Sequence, residues 1–491
     1  MILPGASGEM AARASAGFGW NMAGGVVRAL SGLAINMMLA RLLGPEAFGQ
    51  VALATVAVGL GSLLVDAGLS VSLIQKADLD ELDIRSVFTT QMALGLVLAP
   101  GLALLAPWGA AMLGQESVAP ILRVLSVLLV IQAFGQTGTA LLRREGNFQR
   151  MQQLQIGSYL AAYLGVGVPL ALRDGGVWSL VAAQVIQAAL YSGGAWLATR
   201  HSLRLFAGRR GMTKFGLTLV VSNLVAWAVG ALPSLLIGRF QGVVMLGYFS
   251  RSFFLVSMPA SVLATSLQTT SLTVYSRIQR HARLTKRVCL GMTAFCLLAT
   301  VPSYFLVAAM PGTIVEALFG EAWLPMAGLL TPLALAMPLE CMAALSGPLL
   351  IARGRPGLEL RLQAATAAST LIVVGGLSMW TTTTAVAWGV LAAVYLMRAS
   401  LALRAMLRET EIPFSRWARA AGGPLLLGLG CFAAGKTLEP YLTGQGVAPW
   451  MRLTLMGSLA AGAVGLRVLL GGGGKTSHGR GWMARRMAAY V

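Results

Sequence analysis

Fourteen apolar stretches of roughly 20 residues follow one another along the chain, separated by short polar or basic connections. They lie near residues 18–40, 50–74, 86–107, 118–141, 153–172, 176–198, 215–237, 243–272, 288–310, 324–351, 361–380, 383–403, 420–437 and 449–470. About 20 apolar residues is the length a helix needs to cross hydrocarbon, where backbone groups find no partners except one another. The pattern therefore predicts an all-α membrane protein of about 14 transmembrane helices. An even number of crossings puts both termini on one face.

The stretch Arg41 to Gln75, RLLGPEAFGQVALATVAVGLGSLLVDAGLSVSLIQ, organises the rest. A short polar hinge leads into an apolar run that carries one carboxylate, Asp66. The hinge recurs: Arg41, Gly44 and Gly49 reappear as Arg239, Gly242 and Gly247 in RFQGVVMLGYFSR, each displaced by 198 residues. Both copies sit between two apolar spans. One hairpin has been used twice, the mark of a duplicated membrane protein.

Composition agrees with the pattern, since 56% of the residues are hydrophobic and only 11% are charged. The 59 glycines and 19 prolines would be heavy for soluble helices but suit helices that pack closely or bend in a bundle. Cys289, Cys296, Cys341 and Cys431 all lie in apolar spans without metal-ligand spacing and read as core residues. The first 20 residues lack a basic region followed by an apolar one, so the first span is expected to direct insertion itself.

A net charge of +20 suggests a nucleic-acid binder until its placement is examined. The cations alternate from loop to loop. One face collects 28 of the 37 basic residues, from Arg13 through Arg143, Arg144, Arg209, Arg210, Lys214, Arg353 and Arg416 to Arg486. The opposite loops hold Arg41, Arg173, Arg239 and Lys436. By the positive-inside rule the first face is cytoplasmic, and both termini with it. Nucleic acid is not the expected partner; membrane lipid is.

Two motifs read as structure rather than chemistry. GGGGKTS at 471–477 lacks the first glycine of a phosphate loop, Leu469 standing in its place, and opens a flexible tail. KADLDELDIR at 76–85 does not follow calcium-loop spacing and is expected to be a solvated loop. No hydrolase, kinase or metal signature is present, and the three histidines lie far apart in sequence. The chain is expected to move something rather than to catalyse a reaction, with no cofactor.

Function is then sought in charges inside the spans. Arg28 lies near mid-bilayer in the first span, and Asp66 lies at a similar depth in the second, close enough for an ion pair. Arg251 and Glu340 are the corresponding charges of the second half, whereas Arg123 and Arg452 lie near span ends where they can snorkel. Arg28 and Arg251 are candidate cavity cations for an anionic substrate. Asp66 and Glu340 are candidate coupling or ion-pair carboxylates. Asn36, Gln132, Gln136, Gln184, Gln187 and Asn223 are polar span residues, of a kind that bridges helices more often than it binds sugar.

Four segments carry a family resemblance: ARLLGPEAFGQVALA at 40–54, DAGLSVSLIQ at 66–75, ALLRREGNFQRMQ at 140–152 and VEALFGEAWLPMAGLLTPLA at 315–334. Together they resemble the polysaccharide-transporter (Wzx-type) flippases of the multidrug/oligosaccharidyl-lipid/polysaccharide (MOP) superfamily, over residues 18–406. The resemblance implies a MATE-like fold of two six-helix lobes, residues 18–200 and 215–406. Two additional helices within 420–470 and a basic cytoplasmic tail at 471–491 complete the chain. It also implies a substrate, an undecaprenyl-pyrophosphate-linked oligosaccharide turned from the cytoplasmic to the periplasmic leaflet of the inner membrane by alternating access. Polysaccharide polymerase and chain-length or export proteins would be its partners. A lipid II flippase, a cation-coupled drug exporter of the same superfamily and a non-transporting scaffold are the alternatives.

Overall fold

The computed structural model describes residues 30–206 except 77, residues 216–278 and residues 281–470, together with Gly25, Val27 and Arg28. The expected tail at 471–491, the start of the first span, and Arg13, Arg209, Arg210 and Lys214 lie outside them. Among the described residues all regular structure is helical. The helices are α1 (Leu30–Leu42), α2 (Pro45–Asp66), α3 (Leu69–Gln75), α4 (Glu81–Met112), α5 (Val118–Arg144), α6 (Phe148–Ala171), α7 (Val177–Thr199) and α8 (Gly216–Phe240). They continue with α9 (Gly242–Ile278), α10 (Ala282–Ala309), α11 (Pro311–Leu318), α12 (Glu321–Ala352), α13 (Gly357–Trp380), α14 (Thr383–Thr410), α15 (Phe414–Gly444) and α16 (Pro449–Leu470). By length and composition 11 of these can cross a membrane among the described residues, and α1, α3, α11, α15 and α16 fall outside that set.

Contacts within the chain gather into two units, residues 1–251 with 375–383, and residues 252–374 with 384–491. In the first, α5 packs against α4, α7 and α2. Small residues let these backbones approach: a Cβ on Gly95 would meet Ala133 at 2.8 Å, and one on Gly135 would meet Ser192 Cβ at 2.6 Å. In the second, α10 packs against α15 and α12. There Gly428 faces Val301 and Gly435 faces Ala309, while Trp323, Phe319 and Tyr275 fill the interior.

Helix α2 starts where the sequence says it should, with Gly44 as N-cap, Pro45 in the first turn and Glu46 beside the positive end of the helix dipole. The expected single span at 50–74 is broken. Ala67 (φ 43°) and Gly68 (φ 75°) both adopt the left-handed conformation, which ends α2 and lets α3 begin at Leu69. Helix α6 carries a one-turn π segment at Tyr163–Gly167 immediately before Pro169, whose ring nitrogen has no hydrogen to give to the preceding turn.

The acidic stretch at 76–85 is only in part the solvated loop expected of it: Asp78, Asp80 and Glu81 are exposed, but the chain is helical from Glu81 on and Asp83 is buried. Asp80 caps α4 by accepting from the Asp83 N–H (2.7 Å), and the Asp83 carboxylate accepts from the Asp80 N–H (3.2 Å). The same carboxylate is buried and paired with Lys76. Arg144 donates to the carbonyls of Leu73 (2.7 Å) and Lys76 (2.6 Å), closing the end of α3. Burial of a carboxylate is tolerated here because every partner is supplied locally.

Beyond α7, residues 201–206 fold back over α4. His201 is buried edge-on to Phe88 (5.7 Å between centroids), its Nδ1 is 2.9 Å from Thr199 Oγ1, and Phe206 N–H donates to Thr89 Oγ1 at 2.8 Å. Burial lowers the His201 pKa below its ordinary value of about 6.5, because the charged ring would lose hydration. The neutral ring is favoured by folding, so its contribution is complete above about 6.5 and declines as the pH falls below that value. Hydrogen exchange of residues 200–206 is expected to quicken between pH 7 and pH 5, and His201→Phe is expected to remove the pH dependence.

Candidate functional site

Arg251 lies nine residues beyond the start of α9, roughly 14 Å along the helix at 1.5 Å per residue and so within the membrane. Four helices of the first unit supply its surroundings. From α2, the Phe48 ring lies 4.6 Å from the guanidinium carbon, a cation–π contact. From α1, Asn36 Oδ1 accepts from Arg251 Nη1 at 2.5 Å. The Asn36 amide nitrogen then donates to Gly32 O (2.8 Å) and to the Tyr159 hydroxyl on α6 (3.2 Å). Tyr163, one turn further and at the start of the π segment, packs against Tyr159 with ring centroids 4.5 Å apart and planes tilted by 34°. Gln184 of α7 faces the Tyr163 hydroxyl, and the charge of Arg251 reaches both tyrosines. Phe48 is buried at 3% exposure, whereas Arg251, Asn36, Tyr159, Tyr163 and Gln184 are each partly accessible.

Chemically this is a cation held rigidly by neutral groups in an apolar span. A guanidinium offers five N–H donors in a plane and is less strongly hydrated than an ammonium, so it binds phosphate or carboxylate in a fork. Asn36 and Phe48 hold it in place. Sequence reading placed Arg251, Asn36 and Gln184 in spans but passed over Phe48, Tyr159 and Tyr163. The available signal was the i, i+4 spacing of the tyrosines ahead of Pro169, which puts both on one face of α6.

The other expected charges are placed differently. Arg28 and Asp66 are not brought together among the described residues. Asp66 instead accepts from Ser70 N–H (3.2 Å) and Oγ (2.5 Å) and from Gln91 Nε2 (3.2 Å). Buried Gln91 continues the network to Gln136 (3.4 Å) and accepts from Thr137 Oγ1 (2.8 Å), while Gln132 accepts from Ser62. In the second unit both Glu340 oxygens accept from Arg398 Nη1, at 3.2 and 3.1 Å. Arg452 does not snorkel: it is buried and donates to Val447 O (2.6 Å) and Thr443 Oγ1 (2.8 Å). Replacing Glu340 with Gln is expected to lower stability by about 2 to 3 kcal/mol, because Arg398 then has no countercharge in an apolar surrounding. Thermal unfolding of purified protein checks this, and Glu340→Gln with Arg398→Met is expected to recover most of the loss.

The repeated hinge forms a backbone crossing. A Cβ on Gly49 would lie 1.7 Å from Val243 O, and one on Gly247 would lie 1.9 Å from Pro45 O. Val243 stands 198 residues after Pro45 and Gly247 stands 198 residues after Gly49, so the two contacts are the same contact read in opposite directions. Gly242 needs glycine for its φ of 88°, while Gly44 at φ −71° does not. Arg239 lies over the Phe240 ring at 5.7 Å and touches the Gly114 turn.

A family model described as "Polysaccharide biosynthesis protein" matches residues 38–328. Among individual relatives, the succinoglycan biosynthesis transport protein ExoT of Rhizobium meliloti (strain 1021) is 27% identical over 301 residues, 60% of each chain. The lipopolysaccharide biosynthesis protein WzxC of Escherichia coli (strain K12) is 21% identical over 348 residues, 70% of each chain. The match thus spans under two thirds of the succinoglycan protein. Among solved structures, the lipid II flippase MurJ in an inward closed conformation superposes with a TM-score of 0.71 at 11% identity, covering 89% of this chain and 98% of that one. An inward-facing MATE family multidrug resistance transporter of the MOP superfamily follows at 0.61 and 19% identity, covering 80% and 95%. These likenesses show the MOP-type helical fold. With more than half of its length matched by the family model, the chain belongs to the polysaccharide biosynthesis protein family.

Proposed function

We propose that the protein is a flippase that carries a lipid-linked oligosaccharide of the O-antigen or exopolysaccharide type from the cytoplasmic to the periplasmic leaflet, without changing it covalently. The observation that carries this reading is the Arg251 site, a guanidinium fixed by Phe48 and Asn36 within an apolar span. A pyrophosphate headgroup with its sugars cannot enter hydrocarbon without losing its hydration. A fixed guanidinium replaces that hydration with charge-assisted hydrogen bonds, and the polyprenyl tail stays in lipid. The names of the succinoglycan and lipopolysaccharide relatives support the substrate class.

The proposal includes two six-helix lobes, residues 18–200 and 215–406, working by alternating access in the inner membrane. Both termini are cytoplasmic, as the alternating basic loops require. Arg28 is a second cation on the substrate's route. Of the two span carboxylates, Asp66 suits a coupling ion better, since its partners Ser70 and Gln91 are neutral whereas Glu340 is matched by Arg398. The carried unit then passes to polymerase and chain-length or export proteins. The test is the leaflet distribution of radiolabelled lipid-linked repeat units in membranes with and without the protein. Cytoplasmic accumulation in its absence is expected; an unchanged distribution overturns the reading.

A further inference from the structure

Helix α15 (Phe414–Gly444) is buried along one side only. Ala421 packs with Leu297 and Val301 of α10, and the Trp417 ring joins the same cluster. Gly428 and Gly435 continue that side. The opposite side carries a groove of about 730 Å³ lined by Ala418, Arg419, Gly422, Gly423, Leu426 and Leu427. These residues form two rows with a spacing of four, so they share one stripe of the helix, turned away from α10. The floor is open: a Cβ on Gly422 would meet nothing within 4 Å.

The two ends of the groove differ in chemistry. Leu426 is 72% exposed, and Leu425 and Leu429 beside it are open as well, all within the apolar run 420–437. Leucines exposed there suit hydrocarbon and not water. Arg416 and Arg419 stand just outside that run, one turn apart, and both are exposed. Arg419 Nε donates to Ser415 O at 3.3 Å, which turns the side chain toward the start of the helix and the headgroup layer. The neighbouring carboxylates are already taken, Glu411 by Lys286 at 3.1 Å and Glu409 by Arg355 at 2.6 Å. Neither Arg416 nor Arg419 has an acidic partner among the described residues.

We infer that this face of α15 holds an anionic phospholipid of the surrounding leaflet, with its phosphate on Arg416 and Arg419 and one acyl chain along Gly422 and Gly423 toward Leu427. Charge selects the lipid class. A guanidinium binds phosphate in a fork, whereas a zwitterionic headgroup brings a cation of its own against the two arginines. Height selects the source. Cations at the edge of a span hold a headgroup that remains in its leaflet; a carried headgroup needs its cation within the span, where Arg251 stands. The lipid site does not depend on what the protein carries.

The experiment is native mass spectrometry of the purified full chain, titrated with phosphatidylglycerol and with phosphatidylcholine of the same acyl chains. The wild type is expected to hold one phosphatidylglycerol about thirtyfold more tightly than phosphatidylcholine, each arginine contributing about fivefold. Arg416→Gln with Arg419→Gln is expected to erase that preference, while Arg150→Gln, which removes an exposed cation of α6, should keep it. Gly422→Phe fills the groove and is expected to weaken phosphatidylglycerol with both arginines in place. Thermal unfolding without added lipid checks that each variant is folded. No preference in the wild type, full preference in the double variant or unchanged binding in Gly422→Phe overturns the inference. So does displacement of phosphatidylglycerol by an equal concentration of a polyprenyl pyrophosphate, which assigns the groove to the carried lipid. A wild-type dimer that Gly422→Phe turns into a monomer overturns it too, assigning the face to a second copy.

Discussion

Gly247→Ala is expected to abolish accumulation of folded protein, and Gly49→Ala to do the same. The added methyl would lie 1.9 Å from Pro45 O in the first case and 1.7 Å from Val243 O in the second, about half a normal contact distance. Side chains can yield by changing rotamer, but here the obstacle is the opening turn of a helix whose carbonyls already hold the helix together. Overpacking typically costs about 1 to 3 kcal/mol, and a clash with main chain on both sides of a crossing belongs at or beyond the upper end. Gly193→Ala in α7 and Gly230→Ala in α8 are the controls, since a Cβ meets nothing within 4 Å at either place. These should be neutral or slightly stabilising, alanine favouring a helix over glycine by about 1 kcal/mol. Size-exclusion profiles and thermal unfolding of fluorescent fusions decide it: wild-type behaviour of Gly247→Ala would mean that the crossing is looser than the structure has it.

Arg251→Gln is expected to reduce transport by about a hundredfold or more at normal protein level. Removing one partner of a desolvated charge pair costs about 2 to 5 kcal/mol, which corresponds to roughly 30-fold to several thousandfold in binding. Glutamine can still donate to Asn36, so the local fold should survive. Arg251→Lys is the informative intermediate, because it keeps the charge over Phe48 but loses the planar fork. Flipping assayed in vesicles, alongside protein level in the same membranes, separates the outcomes. Equal losses of protein and transport would assign Arg251 to structure alone.

The spans and the depth of each charge were legible because both follow from counting residues along one segment. What a charge touches was not. Arg251 and Asn36 are 215 residues apart and Asn36 and Tyr159 are 123 apart, so no local pattern joins them. Depth gives height along a helix and says nothing of the direction a side chain faces around it. That is why Arg28 and Asp66, level by counting, are not partners. The left-handed turn at Ala67 and Gly68 brings Ser70 back on to Asp66, a path that apolar run length cannot reveal. The burial of Asp83 escaped for a related reason: its charge suggested water, and its capping bonds and Lys76 supplied a substitute.

The reciprocity at Gly49 and Gly247 is the signature of an isologous interface, in which one patch meets its own copy across a two-fold axis. Two unfused ancestral halves could have paired through this same patch as a homodimer. Joining them in one chain freed each copy to change separately. At the 198-residue offset Arg251 corresponds to Leu53 and Asn36 to Ser234, so the Arg251 arrangement has no twin. A homodimer would have carried two such guanidiniums, whereas the fused chain keeps the reciprocal hinge contact and carries the Arg251 arrangement once.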